Sequence, residues 1–131
     1  MTMRTRIAVS LALVAGFGLG AVAIEGLHAQ AKQPVFYVSE IDVHDVDAYL
    51  KEYAPKARAI IQSHGGKFLA TSNNPHAIEG APPKSRVVIQ QWDSMEKIQA
   101  WRNSAEFNEL RKTSGHLATF RAYALEGAPQ Q

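Results

Sequence analysis

The feature that most limits what this chain can fold into is a change of period at "IIQSHGGKFLAT", Ile60 to Thr71. Upstream, Val46, Tyr49, Leu50, Tyr53, Ala57, Ile60, Ile61 and His64 recur at three- and four-residue spacing, the repeat of an amphipathic helix. Downstream, "GKFLATS" (66–72) reads as a strand. The glycines between them let a helix stop and a strand start with almost no loop. Gly65 can take the left-handed position past the helix end that a side chain resists, and Gly66 lets the strand begin close by. His64 then has two readings. As structure, its ring meets the free carbonyls of the last turn. As chemistry, it is a general base or ligand-binding group at the rim of a pocket between helix and sheet, because imidazole titrates near neutral pH.

The other segments follow from the same reasoning. "VFYVSEIDV" (Val35–Val43) is rich in β-branched and aromatic residues and reads as the first strand. Asp45 is placed to cap the long helix, Asp47 favours its dipole, and Pro55 implies a kink or local break. "NNPHAIEGAPPKS" is a polar connection with a short extended piece expected at His76–Glu79, and "RVVIQQW" (Arg86–Trp92) is the third strand. Asp93 or Ser94 caps "MEKIQAWRNS", Asp93 and Glu96 having capping-box spacing, with Met95, Ile98 and Trp101 or Arg102 on one face. Ser104 caps "AEFNELRKTS", with Phe107, Leu110 and Arg111 on one side, and "HLATFRAYALEG" (His116–Gly127) is the last strand. The order β-α-β-β-α-β is the α+β, ferredoxin-like arrangement, in which two helices cover one face of a four-stranded antiparallel sheet. Apolar side chains on the other face need cover, and a second copy supplies it, so the expectation is a homodimer through the sheet face.

The first 31 residues stand apart. A basic start with Arg4 and Arg6 precedes an uncharged run from Ile7 to Ile24, and Ala29-Gln30-Ala31 fits a cleavage site: the layout of a secretory signal peptide, with the mature chain starting near Lys32. Thr5 separates the arginines, so there is no twin-arginine signal. The alternative is an inner-membrane anchor, since the run approaches the roughly 18 residues that span a bilayer, although Gly16, Gly18 and Gly20 weaken its hydrophobicity. On the signal-peptide reading residues 32–131 form one periplasmic or secreted domain with no membrane attachment after cleavage. Setting aside Arg4, Arg6 and Glu25 from the 14 basic and 12 acidic residues leaves 12 and 11, so charge gives no argument for nucleic acid. The absence of cysteine suits an oxidising compartment without contributing a disulfide.

Tyr49 and Tyr53, "HGGKFLA" (64–70), "IEG" (78–80), "PPKSRVVIQQWDSMEKIQAW" (82–101) and "SAEFNELR" (104–111), in that order, resemble the DUF1330 family of bacterial proteins. The resemblance runs from Phe36 to Gly127 and implies the dimeric α/β-barrel architecture. That architecture is shared by antibiotic-biosynthesis monooxygenases, haem-degrading enzymes, muconolactone isomerases and stress-responsive barrel proteins, so it implies a fold and no single activity.

The residues that could carry chemistry are few. Arg86 suits either an edge ion pair with Glu79 or Asp93 or a clamp for a carboxylate ligand, and Glu79 is its partner or an acid/base group. Arg111 and Arg121 are further cations. His44, His76 and His116 lack metal-ligand spacing, so no metal is expected. Tyr37, Tyr49, Tyr53, Trp92, Trp101 and Phe107 are core residues by spacing and would line any pocket between helices and sheet. No phosphate loop, nucleophile elbow or flavin or haem motif is present, and the reading calls for no cofactor. Two functions fit. One is a homodimeric domain that binds a small anionic or aromatic metabolite. The other is a cofactor-independent monooxygenase- or isomerase-like enzyme in which His64, Glu79 and Arg86 polarise a carbonyl or enol.

Overall fold

The computed structural model describes residues 33–130, so the segment read as a signal peptide or anchor lies outside the described residues. Strand β1 is Val35–Val43, and its alternating burial turns Val35, Tyr37, Ser39 and Ile41 to the helical side. The sheet is completed by β2 (Lys67–Ser72), β3 (Arg86–Trp92) and β4 (Ala118–Glu126), in the order β2-β3-β1-β4 with antiparallel neighbours. This is the ferredoxin-like topology. Its register sets Tyr37 opposite Gln90 and Ala124, and Ile41 opposite Arg86 and Phe120, so these side chains share the helical face.

Helix α1 follows β1 in three parts: a first α-turn at Val46–Ala48, a π-helical turn over Tyr49–Tyr53, and regular α-helix from Ala54 to Ser63. Asp45 caps it as expected, accepting from the Ala48 N–H at 3.1 Å. The break implied by Pro55 takes the form of the π-turn, where the Ala54 N–H bonds to the Tyr49 carbonyl. Proline lacks an N–H and crowds the carbonyl four residues earlier, and a widened turn just before it accommodates both defects. The turn also leaves Tyr49 and Tyr53 buried on the sheet side, stacked with centroids 5.2 Å apart.

The end of α1 answers the question of the paired glycines. The Gly66 N–H bonds to Ile61 O at 3.0 Å and the Gly65 N–H to Gln62 O at 3.1 Å, the two bonds of a Schellman cap, with Gly65 at φ +100°. Gly66 is thereby part of the cap, and β2 starts one residue later than the sequence pattern suggests. It carries a bulge between Phe68 and Ala70.

No strand forms at His76–Glu79. Residues 73–85 are bends and irregular chain, Ile78 is 95% exposed, and Pro75, Pro82 and Pro83 cannot donate to a ladder. Helix α2 is Met95–Arg102; Ser94 rather than Asp93 caps it, accepting from the Lys97 N–H at 3.2 Å, while Asp93 lies 3.8 Å from Lys97 Nζ. Helix α3 is Ala105–Ser114, capped by Ser104 as expected. A 3₁₀ turn at Gly115–Leu117 takes up the residues before β4, so the last strand begins at Ala118 and not at His116.

Helices and sheet enclose two adjoining clusters. Ile41, Tyr49, Tyr53, Val88 and Leu110 form one, and Tyr37, Ile61, Trp92, Trp101 and Phe107 the other. Burying each large side chain contributes about 1.5–3 kcal/mol. The far face of the sheet carries Phe36, Val38, Val87 and Ile89, which alternate with the buried set, together with Tyr123 and Leu125, 41% and 54% exposed. No helix among the described residues is long and apolar enough to cross a membrane.

Candidate functional site

The core is not filled where the two clusters meet. A cavity of about 350 Å³ lies there, walled by Tyr37, Tyr49, Tyr53, Trp101, Phe107 and Phe120, with Ser39 and Gln90 on its sheet side and Arg58, Arg86 and Arg111 also lining it. That is the size range of small-molecule sites. Each element contributes for a traceable reason. The π-turn aims two tyrosines at the sheet, the alternation of β1 and β3 puts Ser39 and Gln90 at positions otherwise given to core residues, and the phase of α2 and α3 delivers Trp101, Phe107 and Arg111.

The polar groups are mostly donors. Arg111 Nε–H donates to the Tyr53 hydroxyl at 2.8 Å, and its guanidinium lies 3.6 Å from the Phe120 ring centroid. Arg86 lies over Tyr49, 5.8 Å from the ring centroid, and donates through Nη1 to Asn73 Oδ1. Burial pushes the Tyr49 and Tyr53 phenols above the ordinary 10.0, against the pull of Arg86 on Tyr49 and of Arg111 on both, so at neutral pH both are neutral O–H groups. The Gln90 carbonyl is occupied by the Trp92 indole N–H at 2.9 Å. Among the described residues, two buried donors, Arg86 Nε and Trp101 Nε1, have no hydrogen-bond partner. An unpaired buried donor costs about 1–3 kcal/mol, and such groups call for an explanation.

The residues proposed from sequence divide. Tyr37, Tyr49, Tyr53, Trp101 and Arg86 line the cavity together. Trp92 does not; it is 1% exposed and stacks behind Trp101 with centroids 5.2 Å apart, supporting the wall. His64 caps α1 and points its Nε2 toward Glu106 at 3.6 Å, away from the cavity lining. Glu79 is exposed in the 73–85 connection and pairs with neither Arg86 nor the cavity. The structure therefore does not gather His64, Glu79 and Arg86 at one centre. The His64 backbone closes the helix while its ring turns to Glu106 on α3 and not to the free carbonyls, and the glutamate sits on a proline-held loop. Ser39, Arg58 and Gln90 escaped the sequence reading; a polar residue at the buried phase of a strand, between Tyr37 and Ile41 or between Val88 and Trp92, was the available signal. Among the described residues no group of three or more His, Cys, Asp or Glu is placed to hold a metal.

A four-stranded antiparallel sheet with helices on one face and a donor-lined cavity between them defines a ferredoxin-like α+β domain. The chain belongs to the DUF1330 family, described as a domain of unknown function, whose family model matches residues 34–128. Its structure is similar to that of a protein of unknown function from Rhodopseudomonas palustris, with a TM-score of 0.61 at 14% identity, covering 81% of this chain and 92% of that one. It is also similar to SnoaB, a cofactor-independent oxygenase from Streptomyces nogalater, with a TM-score of 0.55 at 16% identity, covering 75% of this chain and 96% of that one. A protein from Pseudomonas aeruginosa aligns with a TM-score of 0.52 at 15% identity, covering 76% of this chain and 98% of that one. These likenesses establish the fold. No curated protein matches the chain.

Proposed function

We propose that this protein is an exported homodimeric domain that binds a small, largely apolar molecule in the cavity between α1, α2, α3 and the sheet. The observation that carries the reading is the pair of unpartnered buried donors, Arg86 Nε and Trp101 Nε1, beside an aromatic-walled space of about 350 Å³. A ligand bearing acceptor oxygens would satisfy both, which nothing else among the described residues does. Cover for the apolar far face of the sheet comes from a second copy, as the contiguous Phe36, Val38, Val87, Ile89 and Tyr123 invite. Export rests on the basic, apolar and small-residue order of residues 1–31.

The test uses the chain's two tryptophans, one lining the cavity and one stacked against it. Titration with small aromatic compounds quenches their fluorescence saturably in the wild type, and an Ala57→Phe variant, which fills the cavity from α1, abolishes the quench while keeping its circular dichroism. Saturable quenching that persists unchanged in the filled variant contradicts the cavity as the site.

A second reading, cofactor-independent oxygenase or isomerase chemistry, is favoured by one observation. The paired Arg86/Tyr49 and Arg111/Tyr53 groups are suited to stabilise an enolate as it forms. Oxygen uptake with an enolisable aromatic ligand identified in the binding screen tests it; binding without turnover leaves the first reading.

A further inference from the structure

We infer that the ligand of this cavity is a flat aromatic carboxylate, its anionic end received between Arg86 and Arg111. The inference rests on the cavity-binding reading above and adds the charge and shape of the molecule.

The cavity holds half-buried positive charge that no described carboxylate compensates. Elsewhere among the described residues the lysines and arginines are exposed to solvent, and three of them, Arg121, Lys84 and Lys97, also pair with Glu40, Asp42 and Asp93. The cavity lining carries Arg58, Arg86 and Arg111 and no aspartate, glutamate, lysine or histidine, and none of these three arginines has an ion pair with a described carboxylate. Arg58 lies at the exposed rim, over Phe68 at 4.5 Å from the ring centroid, whereas Arg86 and Arg111 are half-buried. Half-buried charges without a counter-ion favour an anion over a neutral or cationic guest.

The donors are also directed. Because the Tyr53 oxygen accepts from Arg111 Nε, its own O–H is free to turn to another acceptor. Arg86 Nε has no hydrogen-bond partner among the described residues, and Tyr49 stands beside the same guanidinium. The stacked pair Tyr49 and Tyr53 bridges the two arginines, since each guanidinium lies 5.8 Å from its own tyrosine ring. A guanidinium N–H and two phenol O–H groups match the lone pairs of one carboxylate. Tyr37, Trp101 and Phe107 wall the other half, Trp101 meeting Tyr37 edge-on at 5.1 Å and Phe107 at a tilt at 4.8 Å between centroids. Their arrangement suits a planar body, and the free Trp101 indole N–H awaits an acceptor on its far end.

Isothermal titration calorimetry with 2-naphthoate, its neutral analogue 2-naphthamide and 2-naphthyl phosphate tests this on the purified protein. The expected result is naphthoate binding at least 10-fold tighter than the amide, the range of charge-assisted hydrogen bonds, and tighter than the phosphate. Arg86→Gln and Arg111→Gln each remove most of that preference, weakening naphthoate at least 10-fold more than the amide, as expected when a charge-assisted bond is lost. Equal affinity for naphthoate and naphthamide overturns the anion inference and leaves the cavity reading standing; a preference for the phosphate overturns the carboxylate. Should no aromatic compound bind or quench the tryptophans, the cavity reading itself falls. The wild-type comparison needs no variant, so misfolding of either arginine mutant does not blunt the test.

Discussion

Gly66→Ala is the substitution with the best-defined consequence. A Cβ at this position would stand 2.6 Å from Ile61 Cγ2 and from Trp92 Cζ2, and 2.9 Å from Trp92 Cε2. Apolar carbons pack at about 3.5–4.0 Å, so the intrusion is roughly 1 Å on two sides. Trp92 has little room to retreat. It is 1% exposed, stacked on Trp101, and tied through its indole N–H to Gln90. The helix end or the start of β2 must shift instead, and overpacking of this kind costs about 2–3 kcal/mol. In a domain of this size that lowers Tm by about 10–20 °C. Gly65→Ala is the control. Its nearest atoms are in the flexible Lys97 side chain at 3.8 Å, so the cost is conformational, from φ +100°, and about 1–2 kcal/mol. Thermal and urea denaturation of both variants measures the order, and near-ultraviolet circular dichroism reports the tryptophan pair. Gly66→Ala alters that signal and Gly65→Ala does not. A Gly66→Ala protein within 0.5 kcal/mol of wild type, with an unchanged tryptophan spectrum, refutes the packing described for this junction, since ordinary surface changes fall in about that range.

Other outcomes follow from the same geometry. Because burial raises the Tyr49 and Tyr53 phenols, the folded protein keeps protons that the unfolded chain releases. The stability linked to them is complete below pH 10.0 and is lost as pH climbs past it, so a plot of unfolding free energy falls on the alkaline side and flattens in a Tyr49→Phe/Tyr53→Phe double variant. An alkaline limb identical in both proteins would contradict this. His64→Ala and Glu79→Ala leave the ligand-induced tryptophan quench within about 2-fold of wild type, as substitutions away from a site do, and His64→Ala costs under about 1 kcal/mol in stability; a 10-fold loss of affinity in either would restore them to the site. Val38→Lys places a charge on the far face of the sheet and yields monomers by light scattering without unfolding, whereas a persistent dimer would move the interface elsewhere.

The architecture was legible because it rests on local periodicity. β1 and β3 fall at the residues the alternation marks, and Asp45 and Ser104 cap the helices they precede. The misplacements are local as well. Gly66 belongs to the helix cap and a 3₁₀ turn absorbs the residues before β4, while of the two caps open for α2 it is Ser94 that serves. The site was legible only in part. Aromatic residues announce a pocket wall and a core identically, so Tyr37 and Trp101 could be named while Trp92 could not be told from them. Arg86 and Arg111 are 25 positions apart in sequence and meet the same cavity only through the sheet register and the phase of α3. His64 and Glu79 drew attention as chemically capable residues, but capability carries no information about direction. One faces Glu106 and the other solvent.

Native mass spectrometry of the protein purified gently from its own host tests the central claim most directly, because one spectrum reports the N-terminus, the assembly and any retained molecule. The expected species is a dimer of chains beginning near Lys32 that carries an additional small mass, released on unfolding and reduced when Arg86 is replaced. An empty monomer that retains residues 1–31 would contradict it.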